Sequence, residues 1–249
     1  MAMRIRDVMT PDPVVVGPDA SVTTVRETMR QRRIHHLPMV DGGQFAGVVD
    51  ATQAFGWVPR EAVAADLVGR VAVEAHPDEA LFEVLGRCAW SPRDVCVVTR
   101  PDSRAVVGIV TERDLVRLAA RYVDPSRTID QIASTTVVTT PITSTVGECL
   151  EQVRERMFRH LVVVDDGRLR GTLALRDLLL ADARAAVTTL LPEEVRHATW
   201  AATIQDVATI MERHDLDAMP LVDDDQVPDG IVTVTDLLRA LRSTPSLVT

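Results

Sequence analysis

The chain repeats itself. Four times in 249 residues a glycine opens a short small-or-apolar run that ends in a polar turn. The four stretches are Gly47 to Gln53 (GVVDATQ), Gly108 to Leu115 (GIVTERDL), Gly171 to Leu178 (GTLALRDL) and Gly230 to Leu237 (GIVTVTDL). A period of about 60 residues marks a repeat architecture, in which each repeat is one supersecondary unit that needs a neighbour to bury its apolar face.

Each repeat follows the same grammar. A short extended segment leads in: Val14 to Val16, Val71 to Val73, Val137 to Thr139 and Arg196 to Thr199. A Pro/Asp/Ser/Thr turn follows, then an amphipathic helix. Its apolar positions are Val22, Val25 and Met29; Leu81, Val84, Leu85 and Cys88; Val146, Leu150, Val153 and Met157; Ile204, Val207, Ala208 and Met211. This is the 3.6-residue period of a helix with one buried face. Two short strands come next, joined in repeat 1 by the hairpin signal Asp41-Gly42-Gly43, and a second helix closes the unit. The expected order is β-α-β-β-α, with Val58 to Leu67 linking repeats 1 and 2. Ala181 to Leu191 reads as an extension of the preceding helix. YVDPSR, Tyr122 to Arg127, breaks the apolar pattern, so the expected division is residues 1–124 and 125–249. Each half pairs two motifs, about 4–58 with 66–122 and about 128–182 with 190–243.

The turn at Gly108 carries the chemistry. Thr111 is a good N-cap, and Asp114 sits where a capping-box acid belongs. A helix start offers unpaired N–H groups and partial positive charge to an anion, and a carboxylate can accept two hydrogen bonds from a diol. Gly108 leaves room for close approach. The bland reading is that Thr-x-x-Asp is plain capping; its recurrence at Thr233 and Asp236 is what favours a site.

Composition excludes several classes. Net charge is −9, and aromatics are 3%, which argues against a polyanion-binding surface or a base-stacking platform. Arg26 to Arg33 reads as a solvated helix face. No apolar run reaches a membrane span, and the start lacks a secretory pattern, so a cytoplasmic protein is expected. Cys88, Cys96 and Cys149 show no CxxC spacing and read as reduced core thiols, with no metal site. His76, His197 and His214 read as surface or capping residues. No Ser-His-Asp grouping or P-loop points to an enzyme.

The opening RIRDVMTPDPVVV, the segments RIHHLPMVD and FRHLVVVD, and the endings GIVTERDL and GIVTVTDL resemble the cystathionine-beta-synthase (CBS) domain family. The resemblance covers nearly the whole chain as four motifs in two tandem pairs. It implies an α+β fold of four β-α-β-β-α motifs packed as two pseudo-twofold (Bateman-type) modules. It implies a non-enzymatic regulatory module whose clefts bind AMP, ADP or ATP, or else S-adenosylmethionine or NAD. The regulated partner protein is unnamed, and a homodimer or a pseudo-dimeric disc is expected. By resemblance, Asp114 and Asp236 hold ribose and Thr111 and Thr233 meet phosphate, with Arg113 and Thr235 in the same turns. Repeat 1 departs from the pattern, with Asp50 for the Thr and Gln53 for the Asp; repeat 3 keeps Asp177 but has Ala174. The family also implies basic residues before the second strand, here His35, His36, Arg93, Arg159 and His160, although cations at a helix end can serve as caps alone. Adenine would lie near Val71 to Ala75, with Val73 and Ala75 as its wall, and near Arg196 to Thr199. Trp200 could stack on it or belong to the core. The competing reading is a ligand-free interaction scaffold.

Overall fold

The computed structural model describes residues 3–56, 58–69, 72–87, 95–156 and 158–243. Val71, Cys88, Arg93 and Met157 lie outside the described residues. The chain divides into two compact units, one running to Leu115 and one beginning at Val116. The break therefore falls earlier than the expected position after residue 124, within a helix that continues to Tyr122.

In the first unit, repeat 1 contributes β1 (Thr10–Pro11), α1 (Val22–Arg32), β2 (His36–Asp41), β3 (Gln44–Asp50) and α2 (Ala51–Phe55). Helix α1 starts because Ser21 accepts the Thr24 amide at 3.1 Å, and it stops at Arg33 in the left-handed region, the two ordinary helix-end devices. Its buried stripe is Val22, Val25 and Met29, as the period requires. Strands β2 and β3 form a hairpin from His36↔Asp50 to Asp41↔Gln44. Gly42 and Gly43 both take positive φ at its tip, which is the reason for two glycines there. Repeat 2 contributes β4 (Val73–Ala75), α3 (Leu81–Arg87), β5 (Cys96–Thr99), β6 (Val106–Val110) and α4 (Glu112–Tyr122), whose first turn belongs to this unit.

The second unit repeats the plan. Repeat 3 supplies β7 (Thr139–Pro141), α5 (Val146–Arg156), β8 (His160–Asp165), β9 (Arg168–Ala174) and α6 (Leu175–Leu180). Repeat 4 supplies α7 (Ile204–His214), β10 (Ala218–Val222), β11 (Pro228–Thr233) and α8 (Val234–Arg242). The α+β class and the four-motif order are as expected.

What joins two repeats is a crossing of their lead-ins. In the first unit the sheet order is β1-β6-β5-β4, so a strand of repeat 1 becomes the edge of the repeat 2 sheet, with Thr10↔Ile109 and Pro11↔Gly108. In the second unit Ser134 bridges Ile231 in the same way. A few hydrogen bonds at about 0.5–1.5 kcal/mol each are minor beside the apolar face they align. Phe45, Val48, Val95, Val97 and Ile109 form a shared core in the first unit, and Val162, Leu169, Ala218, Val222 and Ile231 form one in the second. Each such side chain contributes roughly 1.5–3 kcal/mol on full burial.

Two sequence expectations are corrected. The lead-in strands are shorter and shifted: Val14 and Val15 are exposed, and only Val16 bridges Met39. Pro11 and Pro13 remove ladder donors there. Ala181 to Leu191 does not extend α6. That helix ends at Leu180, a single 3-10 turn occupies Val187–Thr189, and the carbonyls of Ala185 and Ala183 accept the amides of Val146 and Gly147 at 2.9 and 2.8 Å. A helix there would need those carbonyls for itself; bent outward, they satisfy the open amides of α5.

Candidate functional site

Each glycine of the repeated turn is covered by a side chain. A Cβ on Gly108 would lie 2.4 Å from the sulfur of Met9, one on Gly47 2.6 Å from Val68, and one on Gly171 2.8 Å from Leu191. In these three the covering residue comes from the lead-in of the other repeat in the same unit. Gly230 is covered instead by Trp200 of its own repeat, at 2.5 Å. Trp200 donates its indole N–H to Asp229 at 2.8 Å. The room expected at Gly108 is thus filled by protein, and Trp200 packs as part of the fold.

Beyond the glycine, strand β6 ends and Thr111 turns into α4. Asp114 is 2% exposed. One of its oxygens accepts the Thr111 amide at 2.8 Å and the Thr111 hydroxyl at 3.1 Å; the other accepts the Thr10 hydroxyl at 3.2 Å. Asp236, 6% exposed, matches it. It accepts the Thr233 amide at 2.9 Å and hydroxyl at 2.7 Å, and its second oxygen takes Arg239 at 3.0 Å. Both carboxylates are therefore engaged on their own turns. Thr10 was not singled out from the sequence. Its signal lay in the pairing of repeats: Met9-Thr10 occupies the place before β6 that Val68-Gly69 occupies before β3.

Repeat 1 is built differently. Asp50 caps α2 by accepting the Gln53 amide at 3.0 Å and the Thr52 hydroxyl, while Gln53 accepts the Asp50 amide at 3.0 Å. A Cβ on Gly69 would stand 1.4 Å from the Gln53 amide nitrogen, so the lead-in of repeat 2 presses directly on this turn. A cleft of about 420 Å³ lies alongside, lined by Gln53, Glu61, Asp66 and aliphatic side chains.

Repeat 3 has no hydroxyl at its cap: Ala174 makes no side-chain cap, and the Asp177 side chain is about half exposed. Crowding by protein still pushes the Asp177 carboxyl above its usual range, against the pull of Arg176. Arg176 reaches across to repeat 4, pairing with Asp217 at 2.8 Å and donating to the Asp215 carbonyl at 3.0 Å. Its Nε, and the hydroxyl of Thr172 on β9, are buried without hydrogen-bond partners.

The remaining expected site residues fall as follows. His35 and His36 lead into β2, where His36 faces Asp50. Arg159 gives its carbonyl to the Leu175 amide at 2.7 Å. His160 begins β8; burial, with the cations of Arg159 and Arg176 beside it, pushes its imidazole down to about 3, so it is neutral at pH 7 and offers a phosphate no charge. Arg113 and Thr235 lie in the first turns of α4 and α8. Val73 and Ala75 sit on β4, which β5 separates from β6, so the sheet does not bring them beside the Thr111 turn. His197 is half-buried, and its Nδ1 lies buried without a partner. Among the described residues no cluster of side chains suits a metal ion, and no helix is long and apolar enough to cross a membrane.

A family model described as CBS domain matches residues 5–59, 129–184 and 191–243. The chain belongs to the CBS domain family. Repeat 2 lies outside those matches but carries the same order of strands and helices. Among relatives, the magnesium transporter MgtE of Thermus thermophilus is 35% identical over 105 residues, 40% of this chain and 23% of the transporter. The uncharacterized protein MJ1225 of Methanocaldococcus jannaschii is 28% identical over 159 residues, 55% of each. An inosine-5′-monophosphate dehydrogenase of Staphylococcus haemolyticus matches 41% of this chain but 20% of that enzyme. The chain thus spans about a fifth to just over half of the length of the curated relatives first matched. The crystal structure of MJ1225 superposes with a TM-score of 0.81 at 17% identity, covering 95% of this chain and 99% of that one. A protein from Pyrococcus horikoshii gives 0.69 at 22%, covering 96% and 100%. These two show the fold.

Proposed function

We propose that this CBS protein is a non-catalytic regulatory module that binds adenosine-containing nucleotides at the turns of repeats 2 and 4 and passes their occupancy to a partner protein. One observation carries the reading. The same buried carboxylate, beside a hydroxyl at a helix N-terminus, stands at Asp114 and again at Asp236. The carboxylate suits a ribose diol, and the helix start suits the attached phosphate. AMP, ADP and ATP are the first candidates, with S-adenosylmethionine and NAD next; the module acts in the cytoplasm, as a homodimer or a pseudo-dimeric disc.

The two turns differ in readiness. Arg239 is 72% exposed along its side chain, so returning it to water costs little. Thr10 is tied into β1 and must turn away or share Asp114 with the diol. The repeat 4 turn therefore binds more tightly than the repeat 2 turn. Repeats 1 and 3 contribute less, because Asp50 repels phosphate and Ala174 offers it no hydroxyl.

A thermal-shift series with AMP, ADP, ATP, S-adenosylmethionine and NAD tests the proposal. A ligand at a hundred times its Kd adds about 2.7 kcal/mol of stability. No shift with any of the five would leave the ligand-free scaffold as the better account.

A further inference from the structure

Helices α1 and α5 hold the same place in repeats 1 and 3, but they carry opposite charge toward solvent. On the α1 side, Arg26, Arg30 and Arg33 follow at the spacing of one helix face, Arg33 just past the end where the chain turns left-handed. Arg30 and Arg33 are exposed, and Arg26 is half-buried. The guanidinium carbons of Arg26 and Arg30 lie 5.8 and 4.9 Å from the centre of the Phe55 ring, and Arg26 Nε donates to the Ala54 carbonyl at 2.6 Å. A guanidinium stacked on a ring keeps in-plane N–H donors open, and holding it there beforehand lowers the entropy lost in a later pairing. Among the described residues, none of the three arginines is in an ion pair with a carboxylate.

Helix α5 offers the counterpart. Glu148, Glu151 and Glu155 are all exposed, and they lie on the side of the helix away from the buried Val146, Cys149 and Val153. Arg154 and Arg156 fall to either side of this row. Glu148 accepts the Thr145 amide at 2.7 Å and hydroxyl at 3.0 Å. Among the described residues, Glu151 and Glu155 have no ion-pair partner. Each row spans seven residues, about 10 Å of helix. Phe158, two residues past the end of α5, is 39% exposed, so apolar surface is also left in water there.

We infer that the arginine row of α1 docks on the glutamate row of α5 in a second copy of this chain. This names the surfaces for the homodimer part of the reading above, rests on that part, and is independent of nucleotide. Charge chooses the occupant. The chain carries −9 overall, so two copies repel except where opposite charges meet. The two rows match in sign, number and length, and neither is neutralised within its own copy. Exposed pairs are individually weak, so the association is modest in affinity and steep in salt dependence, and the charges act mainly by fixing which surfaces meet. The contact is heterologous, joining different patches of two identical chains, and each copy offers both patches.

The test is light scattering of the full chain and two charge-reversed variants. One is Arg30→Glu with Arg33→Glu, and the other is Glu151→Arg with Glu155→Arg; all four side chains are exposed. Wild-type association is expected to weaken about tenfold or more between 0.1 M and 1 M salt, as the Debye length falls from about 10 Å to about 3 Å. Each variant alone is expected to associate about a hundredfold more weakly than the wild type, and an equimolar mixture of the two to recover to within about tenfold. In the mixture an acidic α1 meets a basic α5, and a basic α1 an acidic α5. Circular dichroism checks that the variants are folded. Should a reversed variant unfold, Arg30→Gln and Glu151→Gln replace the pair, each expected to weaken association about threefold. Variants that associate like the wild type, a loss in one variant only, or a mixture that stays monomeric overturns these faces and leaves the homodimer standing. A wild type that is monomeric at every concentration in low salt overturns the homodimer and the contact together.

Discussion

Asp114 and Asp236 occupy the same place in two repeats, and their removal should cost about the same. Replacing Asp114 by alanine strips acceptors from three donors: the Thr111 amide, the Thr111 hydroxyl and the Thr10 hydroxyl. Loss of an N-terminal cap interaction costs about 1 kcal/mol. A buried donor left without an acceptor adds about 1–3 kcal/mol. Thr10, on the strand that fastens repeat 1 to repeat 2, is not such a donor: it is exposed, its hydroxyl turns to water, and the expected total is about 1–2 kcal/mol. Asp236→Ala loses the equivalent cap, and Arg239 likewise turns to water, so about 1–2 kcal/mol is expected there too. In a chain of this size 1 kcal/mol corresponds to about 2–4 °C. Differential scanning calorimetry of the two variants without ligand should show each transition lowered by about 2–8 °C. Asp114→Asn keeps an acceptor for Thr10 and should recover part of the loss. An undamaged Asp114→Ala or Asp236→Ala would refute the capping role given to these carboxylates.

Acid should destabilise the second unit through His160. Its folded value near 3 lies below the ordinary imidazole value of 6.5, so the unfolded chain binds the extra proton. Stability is full above about pH 6.5 and falls below it, by at most about 1.4 kcal/mol per pH unit; urea titrations should show a flatter profile in His160→Gln. Gly230→Ala forces a Cβ into Trp200 at 2.5 Å and should cost about 1–3 kcal/mol. The Trp200 indole N–H resonance, now bonded to Asp229, should move; an unmoved resonance would contradict the packing. Cys96 and Cys149 are buried, and burial pushes the Cys149 thiol up, so a thiol reagent should label both only on unfolding.

Much of this fold could be read from apolar periods. The stripes Val22-Val25-Met29 and Ile204-Val207-Met211 located helices to within a few residues, because one face of each is fully buried. The Asp41-Gly42-Gly43 signal located the hairpin, because the turn demands positive φ. The lead-ins resisted such reading. Two or three residues carry no period, and whether Thr10 pairs within its own repeat or with Ile109 is decided by tertiary packing. The same holds for Ala181 to Leu191, an alanine-rich segment whose helix preference loses to the open amides of α5. At the turns, Thr111 with Asp114 and Thr233 with Asp236 were legible as a pattern. Thr10, Arg176 and Asp217 were not, since each acts across a distance in sequence that no local motif encodes. His160 resists such reading for a related reason: burial, which sets its charge, is a property of the packed unit.

The most direct measurement of the central claim is calorimetric titration of AMP and ATP into the wild type, Asp114→Asn, Asp236→Asn and the double variant, each first shown to be folded. Ribose hydroxyls bonded to a charged carboxylate are worth roughly 1.5–3 kcal/mol each. Each single variant should therefore lose one site by about tenfold or more, Asp236→Asn the tighter of the two, and the double variant should release no binding heat. Nucleotide binding of unchanged affinity and stoichiometry in the double variant would contradict the account.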